Sequence, residues 1–293
     1  KYTQMGIAGF KKILTTDSFT GFFGEQKELV AGGRYRPLSH LMFALEWQIF
    51  GRNPFIGHLF NILLYGFLCV LVFIVLEKLL PYGNYKKWYM SLPFIVTVLF
   101  TSHPIHTEVV ANIKGRDEIL SLIGSMGAMY MVIKYIDNQS YKYLVFLFII
   151  YFLGLMAKEN AITFFAVIPL GIYFFRKVEI KKLLLPISVM AVAALLFIKM
   201  RYDALGVLVP AKKITELLNN PFINPNSFPV EEYPSHMKYA TIMYTLLIYI
   251  KLLFIPHPLT HDYYPYHITI KNWNDIWVIL SVILYVFIII YAI

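Results

Sequence analysis

The sequence has few charged residues and almost no cysteine. Charged side chains make up 15% of its 293 residues, whereas ordinary soluble domains have about 25%. Cys69 is the only cysteine and lies inside an apolar run, so neither a disulfide framework nor a thiolate metal site can form. There is also no glycine-rich phosphate loop. These absences exclude a disulfide-stabilised domain and a nucleotide site of the phosphate-loop kind.

Apolar residues, in contrast, are abundant and clustered. Hydrophobic residues make up 58% of the chain, and the mean hydropathy is +0.62. The apolar runs approach the length that a helix needs to cross hydrocarbon, about 17 to 25 residues. They lie at about 54–77, 88–103, 118–136, 142–157, 160–175, 183–200, 238–255 and 275–293. We therefore predict an all-α, polytopic membrane protein, a bundle of about 7–8 transmembrane helices plus interfacial helices.

Polar stretches divide this bundle into four segments. Residues 1–53 are predicted to form an outward, periplasmic loop with interfacial helices, one around 7–14 and one beginning at Pro37, a favourable first helical position. Transmembrane helices are expected over 54–201 and membrane or interfacial helices over 237–293. Between them, 202–236 is rich in Asn and Pro, and its backbone could not be satisfied in hydrocarbon. It is predicted to be an outward loop.

The positive charge of the chain indicates its orientation in the membrane. The formal net charge is +9, but Lys and Arg are spread over short turns and not gathered on one soluble face, which argues against nucleic acid. Because successive spanning helices run in opposite directions, every second turn lies on the same side of the membrane. The turns that hold most of the Lys and Arg residues share one side in this way, and the positive-inside rule makes that side cytoplasmic. The residues concerned are Lys86, Lys87, Lys134, Lys142, Arg176, Lys177, Lys181 and Lys182.

The opposite turns carry the unusual ionisable residues. One cluster precedes the first apolar run, a second lies between the second and third runs, and a third lies between the fourth and fifth. Because these turns share a side, clusters distant in sequence are predicted to meet at the outward face. They comprise 34–38, then 103–108 with 114–118, and then 158–160. Charges close to membrane segments usually serve function, so the site is expected there.

The pair Lys158-Glu159 lies in a turn of almost no length between two apolar runs. Charged side chains in such a position are costly unless they form ion pairs or face a water-filled cavity. One interpretation is that the lysine holds a phosphate and the glutamate orients it. The alternative is a pair that snorkels to the membrane surface without binding anything.

The second cluster allows several interpretations. His103, His106 and Glu108 have a spacing that could ligate a metal, but Pro104 interrupts the segment and nothing completes the site. Contacts with a polar substrate or phosphate, or plain capping and interface packing, are the other interpretations. Glu108 could serve as a base if it faces a cavity. Arg116 suits an anionic ligand or pairs with Asp117, and acidic residues also favour a helix start.

A further loop, 257–267, combines acidic, imidazole and phenol groups. The side of the membrane on which this loop lies depends on whether the segment 238–255 spans the membrane. If that segment spans, the loop is cytoplasmic, whereas if the segment lies along the surface or re-enters, the loop joins the outward clusters. Asp262 is the candidate binding residue in it.

These motifs resemble a known group of enzymes. The segments concerned are Arg36-Pro37-Leu38, 57–65, 103–110, Gly115-Arg116-Asp117 and Lys158-Glu159. Together they look like the membrane part of the transmembrane and tetratricopeptide-repeat O-mannosyltransferases of the GT-C superfamily, with bacterial, Bacteroidota-like relatives especially similar. The resemblance covers most of the chain, and the HPxHTE and GR segments are its most specific parts.

The resemblance implies a reaction and a place for it. A sugar, mannose or a similar hexose, would pass from a polyprenyl-phosphate donor to a Ser or Thr of an acceptor protein. This would occur at the periplasmic face of a bacterial inner membrane, with no cofactor other than the donor and no assigned metal. Expected partners are membrane lipids, the lipid-linked sugar, the acceptor protein and other membrane subunits. Glu108 and Asp117 would be catalytic, and the donor phosphate and substrate would contact Arg36, His103, His106, Arg116, Lys158, Glu159 and Asp262.

The resemblance also implies that the sequence is a fragment. Such enzymes have a catalytic acid soon after a first membrane helix and repeats behind the membrane domain, and both would lie outside these residues. Asp17 comes after the position expected for that acid. Two other classes stay open: a non-catalytic membrane subunit built on the same fold, and a transporter. A transporter should show internal repeats or paired broken helices, which the sequence lacks.

Overall fold

The fold is known from a computed structural model that describes residues 1–24, 33–80, 87–206, 220–227, 231–260, 263 and 267–292. It consists of α-helices joined by short turns. The α-helices are α1 Phe10–Thr15, α2 Thr20–Phe23, α3 Pro37–Phe50, α4 Pro54–Leu79, α5 Leu92–Ser102, α6 Thr107–Ala111, α7 Arg116–Asn138, α8 Lys142–Ala157, α9 Phe164–Arg176, α10 Ile180–Leu205, α11 Ser235–Phe254 and α12 Ile276–Ala292. Five 3₁₀ segments lie at Thr3–Gly9, Trp88–Met90, Pro104–His106, Ile113–Gly115 and Glu159–Thr163.

The predicted fold class is confirmed. Each of the eight apolar runs lies on a helix, and in the described ranges the only strands are β1 Ile223–Asn224 and β2 Glu231–Glu232, which pair antiparallel. The chain is that of an all-α, polytopic membrane protein.

The number of spanning helices is smaller than predicted. Among the described residues four helices are long and apolar enough to span by themselves: α4, the segment Ile113–Asn138 that includes α7, α10 and α11. A fifth span arises if Leu92–Ser102 and Pro104–Ala111, bent by 49°, are counted together. The count of about 7–8 is therefore not confirmed, because α8 has 16 residues, α9 has 13 and α12 has 17, and at about 1.5 Å per residue these fall short of the hydrocarbon thickness.

The chain divides into two compact units, of which the first contains α1 to α10. Its core lies between α7 and α8, which pack through a pair of glycines. A Cβ added at Gly124 would lie 2.4 Å from the Cα of Gly154, so the two backbones are in direct contact there. Around this contact Leu147 and Tyr151 of α8 are fully buried, as is Met190 of α10. Helix α8 therefore lies at the centre of the first unit.

Short helices lie at the start of the first unit, and their predicted interfacial location stays a prediction. A 3₁₀ segment followed by α1 covers the helix expected around 7–14. Helix α3 begins with Pro37 and ends before Gly51, whose φ of +63° is left-handed backbone that favours glycine. Tyr35, just before α3, is 1% exposed and donates a hydrogen bond from its hydroxyl to the Leu14 carbonyl at 2.8 Å. This bond ties the chain entering α3 to α1.

The second unit contains the small β-hairpin, α11 and α12. Ile223 pairs with Glu232 in the hairpin. Helices α11 and α12 are joined by hydrogen bonds from the Ser281 hydroxyl to the Met243 carbonyl at 2.6 Å and from the Tyr285 hydroxyl to the Leu246 carbonyl at 3.2 Å. The predicted segment boundaries stay predictions: α10 continues to Leu205 and α11 begins at Ser235, while much of the polar stretch between them lies outside the described residues.

Candidate functional site

Arg36 joins the three elements that the three ionisable clusters occupy. It precedes α3, and its guanidinium donates to Asp117 at the first turn of α7 at 2.7 Å. It also donates two hydrogen bonds to the Glu159 carboxylate, at 2.9 and 3.2 Å, just after α8. Charge-assisted, bidentate contacts of this kind are the strong ones. Residues 36, 117 and 159 therefore lie in one cluster, as the alternation of the turns predicted.

The electrostatics of this cluster follow from burial and from the ion pairs. Burial raises the pKa of the Glu159 carboxyl, but the hydrogen bonds and charge of Arg36 outweigh it, and the pKa lies below its usual value. Burial alone would lower the pKa of the Arg36 guanidinium. The contacts with Glu159 and Asp117 have the larger effect, so this pKa lies above its usual value. Each side of the pair therefore stabilises the charged form of the other.

Lys158 and Glu159 point to different partners. The Lys158 ammonium pairs with Glu118, whereas Glu159 pairs with Arg36. Lys158 has extended backbone, φ −157° and ψ 137°, at the end of α8, and successive side chains of extended chain point to opposite sides. The Lys158 side chain is 13% exposed and that of Glu118 is 43% exposed. Glu118 is thus about as exposed as Glu159, whose side chain is 37% exposed, and more exposed than Arg36 and Asp117 at 11% and 9%.

Arg116 is enclosed by protein groups. Its side chain is 0% exposed and pairs with Glu46 of α3. It donates to the Asn61 side-chain oxygen and to the Gly57 carbonyl of α4, both at 3.0 Å, and the Phe43 ring lies 4.5 Å from its Cζ. Arg116 thus links α3, α4 and α7. The interpretation that Arg116 pairs with Asp117 is wrong, because Arg116 pairs with Glu46 and Asp117 pairs with Arg36. A phosphate could reach it only by displacing these groups.

The histidine motif forms the bend between α5 and α6. His103 precedes Pro104 and has extended backbone, ψ 124°, because the residue before proline disfavours the helical region. The His103 side chain accepts from the Ile105 N–H at 3.3 Å and so caps the next turn. The His106 ring packs 4.5 Å from the Phe100 ring and 5.8 Å from the Tyr65 ring. His103 thus takes the capping role and His106 an aromatic contact.

The two candidate bases, Asp117 and Glu108, differ in the solvent exposure of their carboxylates. Asp117 is 6% exposed, and its two oxygens accept from Arg36 and from the Glu118 N–H at 2.9 Å. Glu108 is exposed in the first turn of α6. Within the ranges that the structure describes, no group of three or more His, Cys, Asp or Glu side chains could hold a metal ion. Asp262, the remaining candidate, lies outside the described residues.

A cavity of about 290 Å³ lies beside these groups. Its walls combine apolar side chains of α4, α5, α6, α7 and α9 with polar groups of α7 and of the 3₁₀ segments that precede α6 and follow α8. The polar groups include His106, Glu118 and Asn160. The apolar ones include Tyr65, Leu68, Phe100, Leu122 and Phe164. The cavity can therefore accommodate a ligand with an apolar part and a polar part, next to the Lys158–Glu118 pair.

Parts of the chain are similar to curated animal proteins. It is 32% identical over 159 residues to Protein O-mannosyl-transferase TMTC2 of Homo sapiens, covering 51% of this chain and 18% of that protein. It is 34% identical over 143 residues to Protein O-mannosyl-transferase TMTC1 of Homo sapiens, covering 45% and 16%. These relatives are protein O-mannosyl-transferases. Protein O-mannosyl-transferase tmtc2 of Xenopus laevis is 25% identical over 254 residues, covering 83% of this chain and 30% of that protein.

The similarity confirms the resemblance to O-mannosyl-transferases in its coarse form. The matched segments span less than a third of the length of each of these three relatives. No protein-family profile and no solved structure matches the chain. A bacterial source and membership of the GT-C superfamily stay predictions.

Sequence reasoning missed several residues of the site region. Glu46 and Asn61 hold Arg116 and Glu118 holds Lys158, but none of the three was chosen as a site residue. A signal existed for two of them, because Glu46 is the charged residue of α3 and Asn61 lies within the apolar run 54–77, and such residues need a partner. The partner itself could not be read from the sequence.

Proposed function

We propose that the chain is part of a GT-C-type membrane glycosyltransferase. It moves mannose or a similar hexose from a polyprenyl-phosphate donor to a Ser or Thr hydroxyl of a protein. The reaction takes place at the periplasmic face of a bacterial inner membrane. The names of the relatives support transfer of mannose to protein, and the donor and the membrane face follow from the resemblance and from the charge pattern of the turns.

The amphipathic cavity beside Lys158 is the observation that carries the proposal. A polyprenyl phosphate has an apolar chain and an anionic head, and the cavity is lined by both apolar and polar side chains. Lys158 pairs with Glu118, which lines the cavity and has a side chain 43% exposed. A phosphate can therefore replace Glu118 as the partner of Lys158.

The proposed chemistry needs little beyond this charge. The lipid phosphate is the leaving group, and its developing charge is stabilised by the Lys158 ammonium. Arg36 is held by two carboxylates and acts as a positioning residue, because it fixes Glu159 and hence the turn that carries Lys158. A carboxylate must deprotonate the acceptor hydroxyl. Of the two predicted bases, Asp117 accepts a hydrogen bond at each oxygen, and Glu108, although exposed, does not line this cavity, so neither is assigned as the base.

A non-catalytic membrane subunit is the second candidate. The observation in its favour is that the described carboxylates of the cluster, Asp117, Glu118 and Glu159, all have cationic partners. A site that only maintains structure would show the same pairing.

Sugar transfer by variants of the full-length protein separates the two. Lys158→Ala should lower kcat for transfer from polyprenyl-phosphate mannose about 100-fold, the usual loss for one stabilising donor. The matched control is Lys199→Ala, since Lys199 is 76% exposed in a pair four residues apart on α10. The amount of each variant in membranes should equal that of the wild type. Unchanged transfer by Lys158→Ala would refute the phosphate-binding role of Lys158, whereas no transfer by the wild type would favour the non-catalytic subunit.

A further inference from the structure

A second cavity, of about 170 Å³, lies between the first residues of the chain and α3. Asp17 and His40 line it, together with the hydroxyl residues Thr3, Thr16 and Ser18. Phe22, which also borders it, is 81% exposed, so the cavity opens at the surface of the first unit. None of these residues borders the amphipathic cavity.

The carboxylate of Asp17 is incompletely satisfied. The residue is 2% exposed, and one carboxylate oxygen, Oδ1, accepts from the Arg34 N–H at 3.2 Å. The other oxygen, Oδ2, is buried and has no hydrogen-bond partner. Burial raises the pKa of this carboxyl in spite of the backbone hydrogen bonds from residues 18, 19 and 34. Because buried polar atoms in native proteins are nearly always paired, Oδ2 indicates a missing hydrogen-bond donor.

The segment 34–40 connects this cavity to the Arg36 cluster. The Arg34 backbone binds Asp17, and the Arg36 side chain binds Asp117 and Glu159. His40, one helical turn further along α3, borders the cavity. Burial and the charge of Arg34 lower the pKa of the His40 imidazole in spite of Asp117, which favours its neutral form. The cavity therefore adjoins the cluster, and Lys1 is the cationic residue among those that line it.

We propose that this cavity binds the Ser or Thr side chain of the protein acceptor, whose hydroxyl donates a hydrogen bond to Asp17 Oδ2. This proposal rests on the proposed function, because it names the acceptor subsite of that activity. The cavity is smaller than the ~300 to 1,000 Å³ of pockets that hold whole small-molecule ligands, which suits one side chain and excludes a polyprenyl chain. The interaction is binding only, with no proton transferred to Asp17.

Asp17→Asn is the sharpest variant, because it keeps an oxygen for the Arg34 N–H and replaces the free acceptor with a donor. With full-length protein in nanodiscs and polyprenyl-phosphate mannose as donor, the KM for a threonine peptide should rise about tenfold, equal to about 1.4 kcal/mol. The donor KM should stay unchanged. Asp203→Asn is the matched control, since the Asp203 side chain is 60% exposed and lies outside the cavity.

Thr3→Leu is the second variant, since it narrows the cavity and leaves the carboxylate in place. It should also raise the acceptor KM. Acceptor KM values within twofold of wild type for both variants would overturn the proposal. A rise in the donor KM instead of the acceptor KM would assign the cavity to the donor sugar and would likewise overturn it.

Direct binding separates this proposal from the proposed function. The wild type should bind the threonine peptide about tenfold more tightly than the same peptide with alanine, and Asp17→Asn should abolish that preference. If the wild type transfers no sugar, the proposed function fails while this measurement still decides on the subsite. Equal affinity of the wild type for the two peptides would refute the subsite.

Discussion

Removing the charge partner of Arg116 should unfold the first unit more readily than any surface change. The Arg116 side chain is 0% exposed and that of Glu46 is 14% exposed. In Glu46→Leu the guanidinium keeps Asn61 and the Gly57 carbonyl but loses its counter-charge. An uncompensated charge then remains between α3, α4 and α7.

The expected size of the effect follows from buried ion pairs in general. Breaking such a pair on one side costs roughly 3–5 kcal/mol, whereas replacing both partners by apolar residues of similar volume is often close to neutral. Glu46→Leu with Arg116→Met should therefore be more stable than Glu46→Leu alone. Some loss should remain in the double variant, because Asn61 and the Gly57 carbonyl then lack the donor that they have now.

Urea and thermal unfolding of the purified protein in detergent measure this effect. Glu46→Gln is the matched control, since it removes the charge and keeps an acceptor oxygen for Arg116. Its loss of free energy of unfolding should be smaller than that of Glu46→Leu. If Glu46→Leu unfolds at the wild-type midpoint, or if the double variant is as unstable as the sum of the two single ones, the enclosed-arginine argument fails.

Two further predictions concern the same unit. Gly124→Ala should destabilise the protein by roughly 1–3 kcal/mol, because its Cβ would lie 2.4 Å from the Gly154 Cα, whereas Gly66→Ala, with nothing within 4 Å, should be close to neutral in the same unfolding assay. The second prediction concerns pH. Because the pKa of Glu159 is lowered in the folded protein by Arg36, this ion pair should stabilise above the carboxyl's ordinary pKa of about 4.5. That stability should be lost as the pH falls through the folded pKa, and Glu159→Gln should flatten the acid limb of the unfolding curve.

The helices could be predicted from the sequence because their main determinant is local. An apolar run of sufficient length must form a helix in lipid, since no other open structure satisfies its backbone. Helices α4 and α7 to α12 therefore follow from composition. Alternating charge in the turns also predicted that residues 36, 117 and 159 would meet. The count of spans could not be predicted as well, because α8, α9 and α12 are apolar but short.

The pairing of the charges could not be predicted, because it depends on side-chain direction. Arg116 and Asp117 are neighbours in sequence, but successive residues of a helix point about 100° apart. Arg116 consequently faces Glu46 in the interior while Asp117 faces Arg36. Lys158 and Glu159 separate for a similar reason, since the chain there is extended. Neighbouring opposite charges were thus a poor guide to ion pairs.

The exposure of the ion pairs of Arg36 and of Lys158 indicates which of the two cations a ligand can bind. Arg36 pairs with both Asp117, 9% exposed, and Glu159, 37% exposed, so turning it to a ligand would leave two carboxylates without their partner, one of them buried. The Glu118 side chain of the other pair is 43% exposed, and water can solvate it if Lys158 turns to a phosphate. Exchange of partners therefore costs less at Lys158 than at Arg36. Because Glu118 also lines the amphipathic cavity, this exchange would occur where a lipid-linked phosphate would lie.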